Sequence, residues 1–399
     1  MDLRALLDRP TDAERKAVDD LLGPAEGFNG RVAYGGHQAR AQRQMLLPAL
    51  HACQDATGSV SRGALGYISE RLTVPPAEVY GVATFYSLFN VDQPGGTTIH
   101  VCDDIVCSQY GAEDLIQTLE GSGRSWEASP CLGQCERAPA VMFQRPGQGY
   151  GNAAPVDSDT VGNVIFDELP PGVVHQDPSQ LRLLRRIGRV DPTSLEAYRE
   201  SGGYQTLTRA IEMGPGRVIS ALDESGLQGR GGAAFPIGVK WRGVADAPGP
   251  VKYVIANGDE SEPGTFKDRL LMEGDPFAVV EAMTMYGFAT GSTRGYIYVR
   301  GEYPTAEKRL RDAIVMATKT GLLGTDVAGA GFDFDLEVRR GAGAYICGED
   351  TAFFASIEGY RGEPRQKPPF PTVHGVYGNP TGINNIETML AALEVNRNG

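Results

Sequence analysis

The stretch VKYVIANGDESEPGTFKDR (251–269) decides the fold predicted for this chain. It opens with VKYVIAN (251–257), an apolar run of the length of a buried strand. Similar runs return in GYIYVRG (295–301) and FDLEVRR (334–340), and helical patterns start at Pro276 and near residue 304. This alternation predicts a mostly parallel sheet whose ligands lie beyond the carboxyl ends of its strands.

Three carboxylates follow the first of these strands directly: Asp259, Glu260 and Glu262. Such a cluster repels phosphate but accepts hydrogen bonds from ribose or ribityl hydroxyls. Two other interpretations stay open at this point. The segment could be a solvated acidic turn balanced by Lys267 and Arg269, or it could bind a divalent metal ion.

Two glycine-rich stretches lie at or near the predicted ligand edge. The first, GLQGRGGAAFPIGVKW (226–241), offers backbone N–H groups to a phosphate, with Arg230 and Lys240 nearby. It matches a G-x-G-x-x-A pattern from Gly229, but a predicted helix precedes it, so the dinucleotide fingerprint lacks its strand. An ordinary surface loop is the alternative. The second, RRGAGAYICGEDTAF (339–353), leads into a helix predicted near Glu349.

Four cysteines form two close pairs. Cys102 and Cys107 have four residues between them, and Cys131 and Cys135 have three. Thiolate quartets on loops hold zinc or iron–sulfur clusters, and the first spacing is better known from [2Fe–2S] loops. Four buried structural thiols, or two disulfides in a secreted protein, are the alternatives.

Composition limits the class of protein. The 399 residues carry a formal charge of −13, which argues against nucleic acid and anionic membranes as partners. Six cysteines are too few for a disulfide scaffold, and neither a signal peptide nor a membrane-spanning run is evident. We therefore expect a cytoplasmic protein without a direct membrane span.

The chain is predicted to be α/β, in four parts. A helical N-terminal segment covers 1–92, with a Thr11–Glu14 capping box, a helix from about 40 to 54 kinked at Pro48, and a helix from Pro76 towards Leu88. A strand–helix–strand segment (93–150) around the cysteines suits a thioredoxin-like domain. Residues 151–190 are predicted to be a linker, and 191–399 form the Rossmann-like α/β domain.

These motifs together resemble a known family. The runs GLQGRGGAAFPIGVKW, NGDESEPGTFKD, GAGAYICGED, KPPFP and GINNIET resemble the flavin- and NADH-binding subunit of respiratory complex I. PALHACQDATG, VATFYSLF, CDDIVC and CLGQCERAPA resemble the small [2Fe–2S] subunit that accompanies it. Both on one chain are similar to the fused diaphorase subunits of soluble NAD-linked formate dehydrogenases and NAD-reducing hydrogenases, with the formate dehydrogenase beta subunit the first choice.

The resemblance implies FMN, one [2Fe–2S] cluster and NAD(H) as cofactors. It implies that Cys102, Cys107, Cys131 and Cys135 are the cluster ligands and that Glu262, Tyr345 and Glu349 line the nicotinamide side of the flavin. The other cofactor-binding residues that it implies are Gly229, Arg230, Gly231, Gly232, Phe235, Lys240, Asn257, Asp259, Glu260, Gly348, Asp350, Phe370, Asn384 and Asn385. The resemblance implies that Phe235 and Phe370 sandwich the adenine of NADH.

The implied function is an NADH:acceptor oxidoreductase module that passes hydride between NAD(H) and FMN and single electrons to iron–sulfur centres. Its partners would be a molybdenum or nickel–iron catalytic subunit and further iron–sulfur subunits, or a complex-I-like assembly. A non-catalytic electron-transfer or assembly subunit is the alternative, and a zinc-stapled binding domain is a third interpretation.

The chain departs from the family pattern at several positions. Ala234 and Gly382 stand where glycine and threonine are usual, and Asp350 replaces a glutamate near the adenosine ribose, which leaves NAD against NADP open. If the backbone at Ala234 needs a positive φ, alanine costs roughly 1 kcal/mol. The chain also ends at Gly399, before the small β-domain and [4Fe–4S] segment of the family.

Overall fold

The computed structural model describes residues 8–23, 42–91, 95–161 and 177–398. Its helices are α1 (Asp12–Leu22), α2 (Leu46–Thr57), α3 (Arg62–Leu72), α4 (Pro76–Ala83), α5 (Ile105–Gln109), α6 (Ala112–Glu120), α7 (Leu195–Glu200), α8 (Gln205–Met213), α9 (Pro215–Ser225), α10 (Ile237–Ala245), α11 (Lys267–Gly274), α12 (Pro276–Thr290), α13 (Pro304–Lys319), α14 (Asp350–Ile357) and α15 (Ile386–Asn398). Its strands are β1 (Thr98–Cys102), β2 (Trp126–Ser129), β3 (Val141–Arg145), β4 (Gly149–Ala153), β5 (Tyr253–Gly258), β6 (Arg294–Val299), β7 (Asp335–Arg340) and β8 (Thr381–Asn385).

The chain divides into two compact units. Unit 1 comprises Met1–Leu169, Ser261–Gly264 and Gly341–Pro364. Unit 2 comprises Pro170–Glu260, Thr265–Arg340 and Arg365–Gly399. The predicted four-part division stays a prediction; its boundary between residues 92 and 93 lies outside the described residues, as does the stretch 162–176 within its predicted linker.

The N-terminal helices of unit 1 follow from local signals. The Thr11–Glu14 capping box is present, because Thr11 Oγ1 accepts from Glu14 N at 3.2 Å and Thr11 N donates to Glu14 Oε2 at 2.8 Å. Pro48 lies in the first turn of α2, where a missing N–H costs nothing, so the predicted kink is unnecessary. The predicted start of this helix at about residue 40 lies outside the described residues. The helix from Pro76 ends at Ala83, before the predicted Leu88.

A four-stranded sheet forms the centre of the predicted thioredoxin-like domain in unit 1. Its order is β2-β1-β3-β4, with β1 parallel to β2 and antiparallel to β3. One apolar cluster packs α6 on this sheet through Ile99, Val101, Leu115, Leu119 and Val141. Strand β1 ends at Cys102, and Cys131 follows β2, its parallel neighbour. The parallel pairing therefore brings both cysteine pairs to one end of the sheet.

The sheet of unit 2 is parallel throughout, in the order β7-β6-β5-β8. Strand β5 lies centrally, and its end pairs Asn257 with Asn385 of β8. Helix α12 is buried along nearly its whole length. Its Glu281 carboxylate, 1% exposed, accepts from Tyr198 Oη, Tyr204 N and Leu207 N, and so fixes the start of α8. The α/β fold predicted from the strand–helix alternation is thus confirmed.

No helix in the described ranges combines the length and apolar character needed to cross a bilayer.

Candidate cofactor sites

The four paired cysteines converge in unit 1. Cys102, Cys107 and Cys131 are 1–2% exposed, and Cys135 is half-buried. Cys131 Sγ lies 3.3 Å from Cys135 Sγ, and the Cys102 thiol is within hydrogen-bonding reach of those of Cys107 and Cys131. The thiols therefore form a chain from Cys107 through Cys102 and Cys131 to Cys135.

Close packing couples the ionisation of these thiols. The pKa of Cys102 is raised, first by its hydrogen bond to Cys107, then by that to Cys131 and by burial. The pKa of Cys107 is lowered, mainly because this thiol accepts the hydrogen bond from Cys102. The hydrogen bond with Cys131 raises the pKa of Cys135. Four thiols this close cannot all ionise without a cation among them. Bound iron removes this conflict, so the donor set fits a metal cluster.

Loops hold the quartet in place. Asp104, the N-cap of α5, accepts from Ile105 N at 2.7 Å and from Cys131 N at 3.2 Å, and so ties the two cysteine loops together. Among the described residues, no three thiol, imidazole or carboxylate groups are arranged so that they could hold one metal ion together. A chain of thiols suits a two-iron cluster, whose ligands divide between two metal ions, better than a mononuclear zinc site.

The glycine loop of unit 2 is a closed turn between α9 and α10. Gly229 N donates to Phe235 O at 3.0 Å, and Ile237 N donates to Leu227 O at 3.0 Å. Gly231 approaches Asn385 so closely that a Cβ atom at Gly231 would lie 3.3 Å from Asn385 Cβ. Arg230 N donates to Thr388 Oγ1 at 2.8 Å. The loop is thereby held against the end of β8 and the start of α15, the predicted ligand edge of the sheet.

Ala234 adopts φ +51°, in the left-handed region. Strain is expected at this alanine if its φ is positive, and the structure shows that it is. Gly382 has a packing reason, because a Cβ atom there would lie 2.1 Å from Tyr286 Oη. Tyr286 is buried and stacks on Trp241 at 4.0 Å, so a threonine at 382 has no room.

A polar cradle surrounds Asn385 at the same edge. Asn385 Oδ1 accepts from Lys267 Nζ at 3.1 Å, and its Nδ2 donates to Asp268. Asp268, 1% exposed, also accepts from Glu387 N at 3.0 Å. Lys267 Nζ lies 2.9 Å from Asp268 and 3.1 Å from Glu387. Two carboxylates therefore offset one ammonium, a balance that suits sugar hydroxyls better than phosphate.

Glu260 fixes the helix turn that carries Lys267 and Asp268 of this cradle. Its carboxylate, 6% exposed, accepts from Asp268 N at 3.0 Å and from Arg269 N at 3.0 Å, at the first turn of α11. Burial, and then the charge of Asp268, raise the pKa of Glu260 to about 7. Its backbone carbonyl accepts from Arg300 Nη1 at 2.8 Å and Tyr303 Oη at 3.1 Å. Glu260 thus positions Asp268, which in turn holds Asn385.

The other predicted residues of unit 2 divide between surface and core. Asn257 Oδ1 accepts from Asp259 N at 3.1 Å at the end of β5. Phe235 and Phe370 are exposed, and Lys240 Nζ lies 5.9 Å from the Phe235 ring and donates to Ile383 O at 2.8 Å. Asn384, next to Asn385 but on the opposite side of β8, is 3% exposed. Its side-chain amide lies 2.8 Å from Trp241 Nε1.

Unit 1 brings together two of the predicted nicotinamide-side residues. Tyr345 Oη donates to Glu262 Oε1 at 2.7 Å, and this bond raises the pKa of Tyr345. Two residues beyond Glu262, Gly264 N donates to Cys135 Sγ at 3.2 Å. The short segment 261–264 therefore contacts both Tyr345 and a member of the cysteine quartet.

Glu349 and Asp350 form the start of α14. The Glu349 carboxylate accepts from Thr351 N at 2.8 Å and Ala352 N at 2.9 Å as the N-cap, and Asp350 is the first helical residue. Gly348 ends the turn before them. The acidic run after β5 is divided, since Asp259 and Glu260 belong to unit 2 and Glu262 to unit 1.

Sequence reasoning missed four contributors: Asp268 and Thr388, Lys267 as part of the cradle, and Gly264. The contacts of Thr388 and Gly264 depend on chain segments far apart, so neither periodicity nor a local motif indicates these two residues. For Lys267 and Asp268 a signal existed, because both follow the acidic turn within the quoted stretch 251–269.

Comparison with known families agrees with this geometry. The Nuo51 FMN-binding domain matches residues 222–394, and the thioredoxin-like [2Fe–2S] ferredoxin matches residues 34–163. The chain is therefore a thioredoxin-like [2Fe–2S] domain fused to a Nuo51 FMN-binding domain. FMN and [2Fe–2S] are the cofactors of these two domains. The fused organisation and both cofactors predicted from the sequence are confirmed.

Among curated proteins, the chain is 50% identical over 207 residues to a subunit of the NADH-quinone oxidoreductase of Aquifex aeolicus, covering 52% of this chain and 48% of that protein. It is 32% identical over 397 residues to the alpha subunit of the NAD-reducing hydrogenase HoxS of Cupriavidus necator, covering 90% of this chain and 63% of that protein. A crystal structure of an NAD⁺-reducing [NiFe]-hydrogenase in the H₂-reduced state covers 90% of this chain and 61% of the hydrogenase chain, with a TM-score of 0.73 and 28% identity. The chain thus spans about half the length of the Aquifex relative.

Proposed function

We propose that the protein is an NADH:acceptor oxidoreductase (diaphorase) module that passes electrons between NAD(H) and the iron–sulfur centres of a larger complex. The observation that carries the proposal is segment 261–264 of unit 1. Within this segment, Glu262 Oε1 accepts a hydrogen bond from Tyr345 Oη, and the Gly264 N–H group donates one to Cys135 Sγ. Glu262 is expected beside the nicotinamide, and Cys135 is a predicted cluster ligand. The segment links their contacts, because Glu262 Cα and Gly264 Cα are separated by two residues of chain, about 7 Å at most.

The residues of unit 2 fit the ribityl chain of FMN. Asn385, Lys267 and Asp268 present donors and acceptors at the carboxyl ends of β5 and β8, where parallel sheets bind ligands. Gly231 lets the backbone approach this edge, and Arg230 and Lys240 supply positive charge for the phosphate. When bound, FMN accepts hydride and releases electrons singly.

The residues of unit 1 are proposed to act on the dinucleotide. Glu262 and Tyr345 form an exposed donor–acceptor pair that can orient a carboxamide or a hydroxyl group. Asp350, one residue beyond the α14 cap, is proposed to accept a hydrogen bond from a ribose hydroxyl. These side chains bind and orient, and none of them needs to form a covalent bond.

The catalytic partner is a narrower proposal. The family resemblance makes a molybdenum formate dehydrogenase the first choice, whereas the relatives that cover nine-tenths of this chain come from NAD-reducing hydrogenases. Metal analysis of the complex that copurifies with this chain separates the two, because molybdenum indicates the first and nickel the second.

The function is tested by adding NADH without oxygen to protein loaded with FMN and iron–sulfur cluster. We expect the visible flavin band to bleach and a reduced-cluster paramagnetic signal to follow. Bound flavin that does not respond to NADH would contradict the proposal and favour a non-catalytic electron-transfer or assembly subunit. Zinc in place of iron would support the zinc-stapled binding domain.

A further inference from the structure

We propose that the surface around α5 is a docking face for a basic redox protein that exchanges electrons at the cysteine quartet. This Ile105 face consists of Ile105 and Tyr110 with the acidic residues Asp103, Glu113 and Asp114. The proposal rests on the proposed function in assuming that the quartet holds a redox cluster. It goes beyond that function by naming a second partner class and the place where it binds.

Two large apolar side chains stand out at the quartet. Ile105 is 62% exposed and Tyr110 is 65% exposed, and they flank Cys107, which is 2% exposed. Both lie on or next to a helix of five residues, about 8 Å long. An exposed Ile–Tyr pair at a redox ligand is a feature of interaction surfaces, since aromatic side chains are enriched at interface cores.

Charge selects the partner. Between Thr98 and Val161 the chain has nine acidic residues and only three basic ones, all arginine. Asp103, Glu113 and Asp114 are exposed, and each lies within four residues of Ile105 or Tyr110 along the chain. The side chain of Arg137, the arginine nearest the quartet in sequence, is only 10% exposed and lies 3.3 Å from Glu136. An apolar centre with an acidic rim complements a partner whose cofactor edge is apolar and ringed by lysines.

The proposed complex is transient. Electron-transfer partners bury small interfaces and dissociate quickly, so two apolar anchors and a charged rim suffice. Cys107 is on the short helix of this face, so a cofactor docked there lies close to the cluster. The occupant is therefore a soluble basic electron carrier, and neither a permanent subunit nor a second copy of this acidic chain is needed.

Binding of mitochondrial cytochrome c, a basic haem protein, to the holoprotein at low salt tests the proposal. Ile105→Ser and Tyr110→Ser should each weaken binding at least about fivefold, the effect expected of a central interface residue. Glu113→Gln should weaken it about two- to fivefold and reduce its salt dependence. Matched controls are Val315→Ser, whose valine is 49% exposed on α13, and Glu120→Gln at the far end of α6.

Three results would overturn the docking face. The first is that Ile105→Ser, Tyr110→Ser and the parent bind cytochrome c equally well. The second is that the parent binds an acidic ferredoxin as tightly as cytochrome c. The third is that the parent is a dimer that Ile105→Ser dissociates. The cluster signal is recorded for every variant, so a lost cluster is not mistaken for lost docking. If cytochrome c binds at this face but NADH does not bleach the flavin, the proposed function fails while the docking face stands.

Discussion

Ala234 holds a left-handed backbone conformation inside the glycine loop, with φ +51°. An L-residue with a Cβ atom pays roughly 1 kcal/mol or more there, whereas glycine does not. We therefore expect Ala234→Gly to raise the free energy of unfolding by roughly 1 kcal/mol, measured by urea denaturation. The gain is limited because glycine also enlarges the entropy of the unfolded chain.

Ala77→Gly is the matched control for Ala234→Gly. Ala77 is exposed in α4, where its backbone is helical, so glycine should lower stability by about 0.5–1 kcal/mol. A destabilised Ala234→Gly would mean that the methyl group makes contacts worth more than the backbone strain.

Asp350 is expected to influence the choice between NADH and NADPH. Its carboxylate is one methylene shorter than the glutamate usual in the family, and NADPH carries a 2′-phosphate that a nearby carboxylate repels. We expect Asp350→Glu to raise the NADH-to-NADPH ratio of kcat/KM by about tenfold, which corresponds to roughly 1.4 kcal/mol. Asp350→Asn should lower the same ratio. An unchanged ratio in both variants would separate Asp350 from dinucleotide selection.

At the scale of elements, helix α11 connects a buried acid to the cofactor edge. Glu260 caps its first turn, and the pKa of this carboxyl is raised from 4.5 to about 7 by burial and by Asp268. The folded state therefore binds the proton more tightly than the unfolded state. Stability from this group is greatest below pH 4.5, falls as the pH rises towards about 7, and is constant above that.

Glu260→Gln is expected to remove this pH dependence. The amide keeps an oxygen for Asp268 N and Arg269 N but carries no charge at any pH. Between pH 5 and pH 8, the parent should lose up to roughly 3 kcal/mol more unfolding free energy than the variant. Urea denaturation at both pH values measures this, with the exposed Glu120→Gln as control. Equal losses in parent and variant would assign the pH dependence to other groups.

Elements with strong local signals were predictable from the sequence. Helix α13 begins where it was expected, at residue 304, because Pro304 starts it and an amphipathic pattern continues through it. Helix α3 was missed because Gly63 and Gly66 weaken its helical pattern. Gly63 is there for tertiary packing, since a Cβ atom would lie 2.3 Å from Arg9 O. Strand β4, GYGNA, likewise has too few apolar residues to be recognised alone.

The candidate sites were predictable in composition but not in connectivity. The cysteine pairs and the glycine loop are local motifs, so their residues could be named from spacing. By contrast, Asp268 reaches Asn385 across 117 positions, and Gly264 reaches Cys135 across 129. Only the topology of the sheet and the path of segment 261–264 create these contacts.

At the scale of the whole molecule, the two cofactor sites draw on separate sets of contacts. All four cysteines belong to unit 1, whereas the Asn385 cradle and the glycine loop belong to unit 2. Each unit also has its own sheet and its own apolar core. Loss of one cofactor should therefore leave the fold around the other intact.

Cys131→Ser tests this independence directly. Cys131 lies in the middle of the thiol chain, 3.3 Å from Cys135, and serine is a poor ligand for iron in a thiolate site. We expect the variant to lose the [2Fe–2S] absorption and its iron while binding FMN in the parent's stoichiometry. Cys53→Ser is the matched control, because Cys53 is a buried thiol whose pKa burial raises to about 12, and it should retain both cofactors. If Cys131→Ser lost FMN as well, the units would not fold independently, and the flavin site would depend on the cluster for its structure.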